Sequence, residues 1–306
     1  MRQTTIKKSI ECSGIGLHGG KMVKLHLHPA PENTGVLFCL ASDEGTKFLT
    51  PTPESVVATG LATTLGFGKD AVSTVEHLLA AIRGLEIDNI RIDVEGGELP
   101  IMDGSAASFV FLLRSAGIRR QGAARRVLRI TRPVAFESDG KWIKAEPYAG
   151  FAVNCRIDFP HPLIGEQTMH LDLSPESFAR RIAKARTFGF LRDVEMLHKH
   201  GLALGGSLEN AVVLDEYAVI NPEGLRFQDE FVRHKVLDFI GDMAMIGLPL
   251  HGRFEVNCSG HALNNNFLRM LHENRDLYLE EVALHDGAAD AAPVAEPARD
   301  MVPAMA

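Results

Sequence analysis

Long apolar runs are missing from this chain. No unbroken stretch approaches the ~18 residues of a spanning helix, and the start Met1-Arg-Gln-Thr-Thr-Ile lacks the apolar core of a secretory signal. Neither a transmembrane segment nor export is therefore expected. Cysteine is sparse: Cys12, Cys39, Cys155 and Cys258 stand far apart with no C-x-x-C pair, which fits free thiols in a reducing cytoplasm. An excess of positive charge is also absent. Against 39 Asp and Glu there are 32 Lys and Arg, a net charge of −7, and the basic residues cluster only from Arg119-Arg120 to Arg125-Arg126. That balance argues against a nucleic-acid partner, whose affinity would rest on neutralised phosphates.

What is present describes a globular protein with a sizeable core: 306 residues, 45% apolar and 23% charged. The length suits one large domain or two ordinary ones. Gly14-Ile-Gly16-Leu-His18-Gly19 matches the dinucleotide fingerprint in form. The next segment, Lys21 to His28, alternates with period two and ends at Pro29, so it reads as a strand and the glycines as a hairpin. His26 and His28 share one face of that strand. A metal pair is one reading; two side chains facing water is the plainer one.

An opening strand at 3–11 and further strands around 35–40, 46–50, 61–67 and 89–94 are expected, with a turn at Gly68-Lys-Asp70. Ser73-Thr-Val-Glu76-His77-Leu-Leu-Ala-Ala-Ile-Arg-Gly84 reads as a helix opened by a Ser73/Glu76 capping box and closed by Gly84. Another helix spans about 106–116, closed by Gly117. Residues 119–126 read as a linker between two halves. Beyond it, strands are expected at 127–130, 132–137, 141–147 and 150–158, and a helix from Ser174-Pro175 to about Lys184. A markedly apolar insert follows at 186–220. The remaining elements are a helix at 228–246, a strand at 251–257, Ser259-Gly-His261 as a turn, and a helix from about Leu263 to Asn274. The tail at 287–306 is rich in Ala and Pro and reads as disordered.

The chemistry concentrates in Phe231 to Asp242. Val232, Val236, Leu237, Phe239 and Ile240 recur at helical spacing, and His234 and Asp238 stand four apart on one face. An imidazole and a carboxylate converging there are two ligands of the kind Zn²⁺ takes. A weak internal repeat points to a third. Val75-x-His77 with Gly84 matches Val232-x-His234 with Gly241, about half the chain apart. If the two helices face each other, His77 meets His234 and Asp238. Glu76 beside it is either the base that activates water or simply the capping residue. Satisfied helical histidines remain the alternative for His77 and His234, but an Asp among apolar neighbours must be paired or bound if buried. Asp242 lies about 12 Å along the axis from His234, better placed to support another group than to ligate.

Five stretches carry a resemblance: Ser73-Thr-Val-Glu-His-Leu, Ile101-Met-Asp-Gly-Ser-Ala, Ala185-Arg-Thr-Phe-Gly-Phe, Phe231-Val-Arg-His-Lys with Leu237-Asp, and Ser259-Gly-His-Ala-Leu-Asn-Asn. In this order, over roughly residues 3–275, the chain resembles the UDP-3-O-acyl-N-acetylglucosamine deacetylases of lipid A biosynthesis. The resemblance implies an α+β fold of two similar α/β halves packed helix face to helix face. Residues 1–122 would supply Glu76 and His77. Residues 127–286 would supply His234, Asp238 and His261, with the acyl-chain insert at 186–220.

It also implies a Zn²⁺ hydrolase of a Gram-negative cytoplasm that removes an N-acetyl group from a UDP-activated, acylated N-acetylglucosamine. By position His77, His234 and Asp238 match the zinc ligands and Glu76 the general base. His261 matches the acid that protonates the leaving amine, Asp242 the carboxylate that orients it, and Thr187 and Lys235 groups near the scissile carbonyl. Phe188, Leu191, Gly206, Ser207, Phe159, Leu61 and His18 match positions expected to contact substrate. Some members carry a basic residue three positions before the acid histidine. Here that position is Cys258, which leaves Lys141 and Lys235 for the UDP phosphates. In some members the C-terminus governs proteolytic turnover, so protease control through the tail is a further expectation.

Overall fold

The computed structural model describes residues 1–42, 45–67 and 70–284. Most of the turn expected at 68–70, the tail at 287–306 and the last two residues of the second half lie outside these.

Alternating apolar residues build the first half. The opening strand is split into β1 (Arg2–Ile6) and β2 (Ile10–Ile15), because exposed Lys7-Lys8-Ser9 leaves the ladder. β2 forms the expected hairpin with β3 (Met22–Pro29). Val23, Leu25 and Leu27 of β3 are buried, while His26 and His28 face outward, His26 lying 3.2 Å from Glu11 Oε2 and His28 2.8 Å from Ser9 Oγ. Next come β4 (Val36–Ser42), β5 (Gly45–Leu49) and a small sheet of β6 (Val56–Ala58), β7 (Thr64–Phe67) and β8 (Asp70–Val72). Helix α1 (Glu76–Gly84) leads to β9 (Ile90–Glu95), which enters the sheet between β3 and β4, and then to α2 (Ala107–Ala116). Gly117, at φ 72°, closes α2 as the sequence suggests.

The expected linker is instead the start of a thirteen-residue strand, β10 (Ile118–Ile130). Its first part pairs with β1, where Ile6 faces Ile118 and Thr4 faces Arg120. Its arginines come as adjacent pairs that point to opposite faces, Arg126 outward to Glu281 and Arg125 buried against Glu86 and Asp88, so the charge density belonged to a strand, not to a solvated connection. The second half continues with β11 (Val134–Ser138), β12 (Lys141–Glu146), β13 (Phe151–Phe159) and β14 (Gly165–Asp172). The helix expected from Ser174 is only one turn, α3 (Pro175–Ser177), capped by Ser174 as read, before a wider π turn at Phe178–Ile182. The insert contains β15 (Phe188–Phe190), α4 (Leu191–Lys199) and β16 (Val212–Leu214). After α5 (Glu230–Met243) come β17 (Leu250–Asn257), α6 (His261–Glu273), α7 (Arg275–Tyr278) and β18 (Leu279–Leu284). β17 pairs with β10, β12 and β13, and β18 closes the sheet antiparallel to β10.

The result is an α+β fold in which α1 packs against α5, and α5 lies on β13 and β14. Both helices are buried nearly all round, with Glu76 and His77 of α1 and Glu230, His234, Asp238 and Asp242 of α5 enclosed among the apolar side chains. Leu78, Leu79, Ala80 and Ala81 of α1 are fully buried, as are Phe231, Val236, Leu237 and Phe239 of α5. The two matched glycines of the internal repeat both allow close packing, Gly241 at the contact of α5 with α1 and Gly84 under the turn at Phe178. A methyl group on Gly241 would lie 2.1 Å from the Glu76 carbonyl oxygen, and one on Gly84 2.3 Å from the Phe178 ring. Gly84 thus serves packing; Leu85, not Gly84, is the C-cap. No described helix is long and apolar enough to cross a membrane.

Candidate active site

The close α1–α5 contact brings both histidines of the repeat to one place. His77 and His234 meet edge to face with ring centroids 5.0 Å apart. Asp238 Oδ1 stands 3.2 Å from His234 Nε2 and 3.6 Å from His77 Nε2. All three residues are buried, and one ligand atom from each lies within 4.8 Å of the others. Among the described residues this is the only group of three or more His, Cys, Asp or Glu so arranged.

The donor chemistry fits a dication. His234 Nδ1 is 3.1 Å from the Ala185 carbonyl, so it carries the proton and leaves Nε2 with a free lone pair. Burial, with the neighbouring His77 and the positive charge of Lys235, pushes His234 down to about 3 against the pull of Asp238. Asp238 is held well below the usual carboxylate range: burial acts upward, but His234 and the Lys235 ammonium outweigh it. Lys235 Nζ donates to Asp238 Oδ2 at 2.8 Å, leaving Oδ1 toward the imidazoles.

A second layer surrounds the cluster. Glu76 opens α1 but caps nothing: the expected capping box is absent, and the N-cap Val75 makes no side-chain bond. The Glu76 carboxylate turns inward, Oε2 accepting from Thr63 N–H at 3.1 Å. Burial pushes it upward as an acid, against the attraction of His261 and His77. His261 is the first residue of α6, not part of a turn, and donates through Nδ1 to Asp242 Oδ2 at 2.8 Å. Its Nε2 points toward Glu76 Oε1, 3.9 Å away. Burial acts downward on His261, but Asp242, Glu76 and Asp238 together carry it up to about 10.

Thr187 is placed through its neighbours. Ala185 binds His234, and the Phe188 ring lies 6.4 Å from the His234 ring and 5.6 Å from Lys235 Nζ. A buried ion pair fixes this strand on α5. Arg186 Nε donates to Glu230 Oε1 at 2.9 Å and Nη2 to Oε2 at 3.2 Å, where Glu230 is the first residue of α5. Phe159 packs edge-on to Phe188 with centroids 5.5 Å apart and also meets Phe190. Beyond them Leu191, Met196 and Leu204 are exposed. The insert returns to the first half: Leu204 and Gly205 N–H groups donate to the His18 and Leu17 carbonyls, and Gly206 packs on Leu17. Neither ring nitrogen of His18 has a hydrogen-bond partner, although both are buried. Ser207 is occupied in a local turn with Asn210.

The structure does not bring Lys141 to the cluster. It begins β12, exposed at the hairpin edge near Cys258. The basic group beside Cys258 Sγ is Arg156, at 3.8 Å, which also binds Glu166 and Asp158. Leu61 is exposed in the turn ahead of β7. Thr63 and Asn264, both bonded to Asp242, were not legible in the sequence. Asn264 does fall in the quoted Ser259-to-Asn265 stretch; Thr63 had no such signal.

A family model described as UDP-3-O-acyl N-acetylglycosamine deacetylase matches residues 3–273. The chain is 68% identical to the UDP-3-O-acyl-N-acetylglucosamine deacetylase of Nitratidesulfovibrio vulgaris, covering 93% of this chain and 92% of that one. It is 63% identical to the protein of that name from Oleidesulfovibrio alaskensis, over 97% and 99% of the two chains. It is 56% identical to that of Lawsonia intracellularis, over 91% of each. A match of this extent, on a chain whose paired helices gather His77, His234 and Asp238, establishes that it belongs to the UDP-3-O-acyl N-acetylglycosamine deacetylase family.

Proposed function

We propose that the chain is a zinc-dependent amidohydrolase that removes the N-acetyl group from UDP-3-O-[(3R)-3-hydroxyacyl]-N-acetylglucosamine, giving the free amine and acetate. That reaction is the committed step of lipid A biosynthesis, and the reading places the enzyme in the cytoplasm of a Gram-negative bacterium. The observation that carries it is the buried convergence of two imidazole nitrogens and one carboxylate oxygen at a helix interface. The reading divides the chain into a first half, 1–122, supplying Glu76 and His77, and a second, 127–286, supplying His234, Asp238 and His261. Protease control through the 287–306 tail belongs to the same reading.

A zinc ion held by His77, His234 and Asp238 would supply Lewis-acid polarisation of the acetyl carbonyl and a water of lowered pKa. Glu76 takes the proton of the attacking water, a task its buried carboxylate suits because burial raises its affinity for that proton. Thr187 faces the negative charge that develops on the carbonyl oxygen. As the carbon–nitrogen bond breaks, His261 gives the Nε2 proton to the departing amine. Asp242 holds the other ring nitrogen and keeps the imidazolium charged until then. Phe188, Phe159 and Phe190, continuing to the exposed Leu191 and Leu204, form the apolar path for the acyl chain. His18 with its two unpartnered nitrogens, and Leu61, Gly206, Ser207 and Lys235, border the sugar nucleotide. Lys141 and Lys235 are the cations proposed for its phosphates, with Arg156 standing beside Cys258.

Turnover of the 3-O-acylated and the unacylated sugar nucleotide tests the reading. About five buried methylenes at about 0.8 kcal/mol each correspond to about 10³-fold in kcat/KM. We expect that preference from protein carrying one zinc per chain. Equal turnover of both substrates would make the enzyme an amidase for another N-acyl sugar, and a metal-free, inactive protein would make it a binding protein.

The pH profile tests the acid. Activity needs Glu76 ionised and His261 protonated, so kcat/KM should rise with pH above the ordinary carboxylate range and fall again on the alkaline side. A neighbouring dication opposes the imidazolium charge and brings that fall in below about 10. In His261→Ala the alkaline fall should vanish; its persistence would assign it to another group.

A further inference from the structure

Thr63 stands just before β7, 2% exposed, with every polar group it has turned toward the catalytic helices. Its carbonyl accepts from Val75 N–H at 3.4 Å, at the start of α1. Its N–H donates to Glu76 Oε2 at 3.1 Å and its hydroxyl to Asp242 Oδ1 at 2.7 Å. The other oxygen of Asp242 accepts from His261 Nδ1 at 2.8 Å and from Asn264 Nδ2 at 2.7 Å. The hydrogen bonds therefore run from Glu76 through Thr63 to Asp242 and His261. The path nearly closes on itself, because His261 Nε2 faces Glu76 Oε1 at 3.9 Å.

We propose that Thr63 is a positioning residue for the deacetylation, holding the proton acceptor Glu76 on one helix and the Asp242–His261 pair on the other in fixed relative geometry. The proposal rests on the deacetylase reading above. Glu76 and Asp242 come from helices in different parts of the chain, so nothing in either helix alone sets the distance between their carboxylates. Thr63 spans them with one backbone and one side-chain bond, both donated to carboxylate oxygens and both in a dry interface, where such bonds orient most strongly. Its hydroxyl occupies Oδ1, so that Asp242 presents Oδ2 to His261. Without that donor Oδ1 is left unsatisfied in a dry interface and the carboxylate is held at Oδ2 alone, by His261 and Asn264, which loosens its orientation and that of the imidazole.

Thr63→Val keeps the shape and the N–H bond to Glu76 and removes only the donor to Asp242. We expect kcat to fall about 10- to 100-fold with KM within about twofold and zinc content unchanged, the range seen when groups that orient a catalytic residue are lost. Thr63→Ser should restore most of kcat. In a His261→Ala background the valine substitution should cost almost nothing, because the group it acts through is gone. The His261 Nδ1–H proton resonance, shifted far downfield by its carboxylate bond, should survive in the serine variant and broaden or move in the valine variant. Should the valine variant not fold, Thr63→Ala carries the same expectations. Full kcat in Thr63→Val or Thr63→Ala overturns the proposal. So does a folded serine variant no better than valine, or a valine loss of equal size without His261. A wild-type protein without deacetylase activity would overturn the underlying reading and the proposal with it; an active wild type with an indifferent Thr63 overturns the proposal alone.

Discussion

Asp238→Asn is expected to give a folded protein that no longer retains zinc after desalting and deacetylates about 10³-fold more slowly or worse. The substitution keeps the shape of the side chain and removes its charge, the only formal negative charge among the three converging ligands. Transition-state stabilisation of several kcal/mol goes with the metal, and about 4 kcal/mol is about 10³ in rate. Folding should survive. The Lys235 ammonium that loses its 2.8 Å partner is 23% exposed and can turn to water, whereas a fully buried unpaired cation would not be tolerated. Metal analysis and activity are read on the same preparation. An asparagine variant that keeps one zinc per chain would remove Asp238 from the ligand set.

Glu76→Gln should separate binding from chemistry. It leaves His77, His234 and Asp238 untouched, and the glutamine oxygen can still accept from Thr63 N–H. Zinc content should therefore equal that of the wild type while kcat falls by about 10² to 10⁴, the usual worth of a positioned general base. A helix-capping function cannot explain such a loss, since no side chain caps α1 and the Glu76 carboxylate faces Thr63 and His261 instead. Wild-type turnover in the glutamine variant would reduce Glu76 to a packing residue.

The convergence of His77, His234 and Asp238 was legible because helical periodicity is local. Spacing of four put His234 and Asp238 on one face, and the repeat of Val, His and Gly indicated which residue of the other helix would meet them. The same repeat carried packing information in its glycines that capping rules misread: Gly84 looked like a terminator, yet it is the seat for Phe178. Ser73 and Glu76 have the spacing of a capping box, but the neighbouring elements offered Glu76 a backbone donor and a cationic imidazole, and tertiary contact overrode local preference. Arg186 and Glu230, 44 residues apart, pair fully buried; no pattern in either stretch announces a partner at that distance. Thr63 was beyond reach for the same reason. Its hydroxyl meets a carboxylate 179 residues away, and that encounter exists only once α1 and α5 have packed.

Strand β10 bears on how substrate reaches this site. Hinge-bending enzymes connect their lobes through a few loop residues whose backbone torsions absorb the motion. Here the connection is a strand, paired to β1 at Ile118 to Arg120 and again, past a bulge, at Ala124, and to β18 from Arg125 to Ile130. Asp88 and Asn89 N–H groups bind the Thr4 carbonyl, fastening β1 to the approach of β9. Opening the lobes like a clamshell would break that ladder while pulling His77 from His234. Catalytic alignment is thus built at folding and does not wait for ligand. On the proposed reading, a lipid-bearing sugar nucleotide would have to reach the cluster with the two halves already joined, along the side where Leu191, Met196 and Leu204 of the insert are exposed.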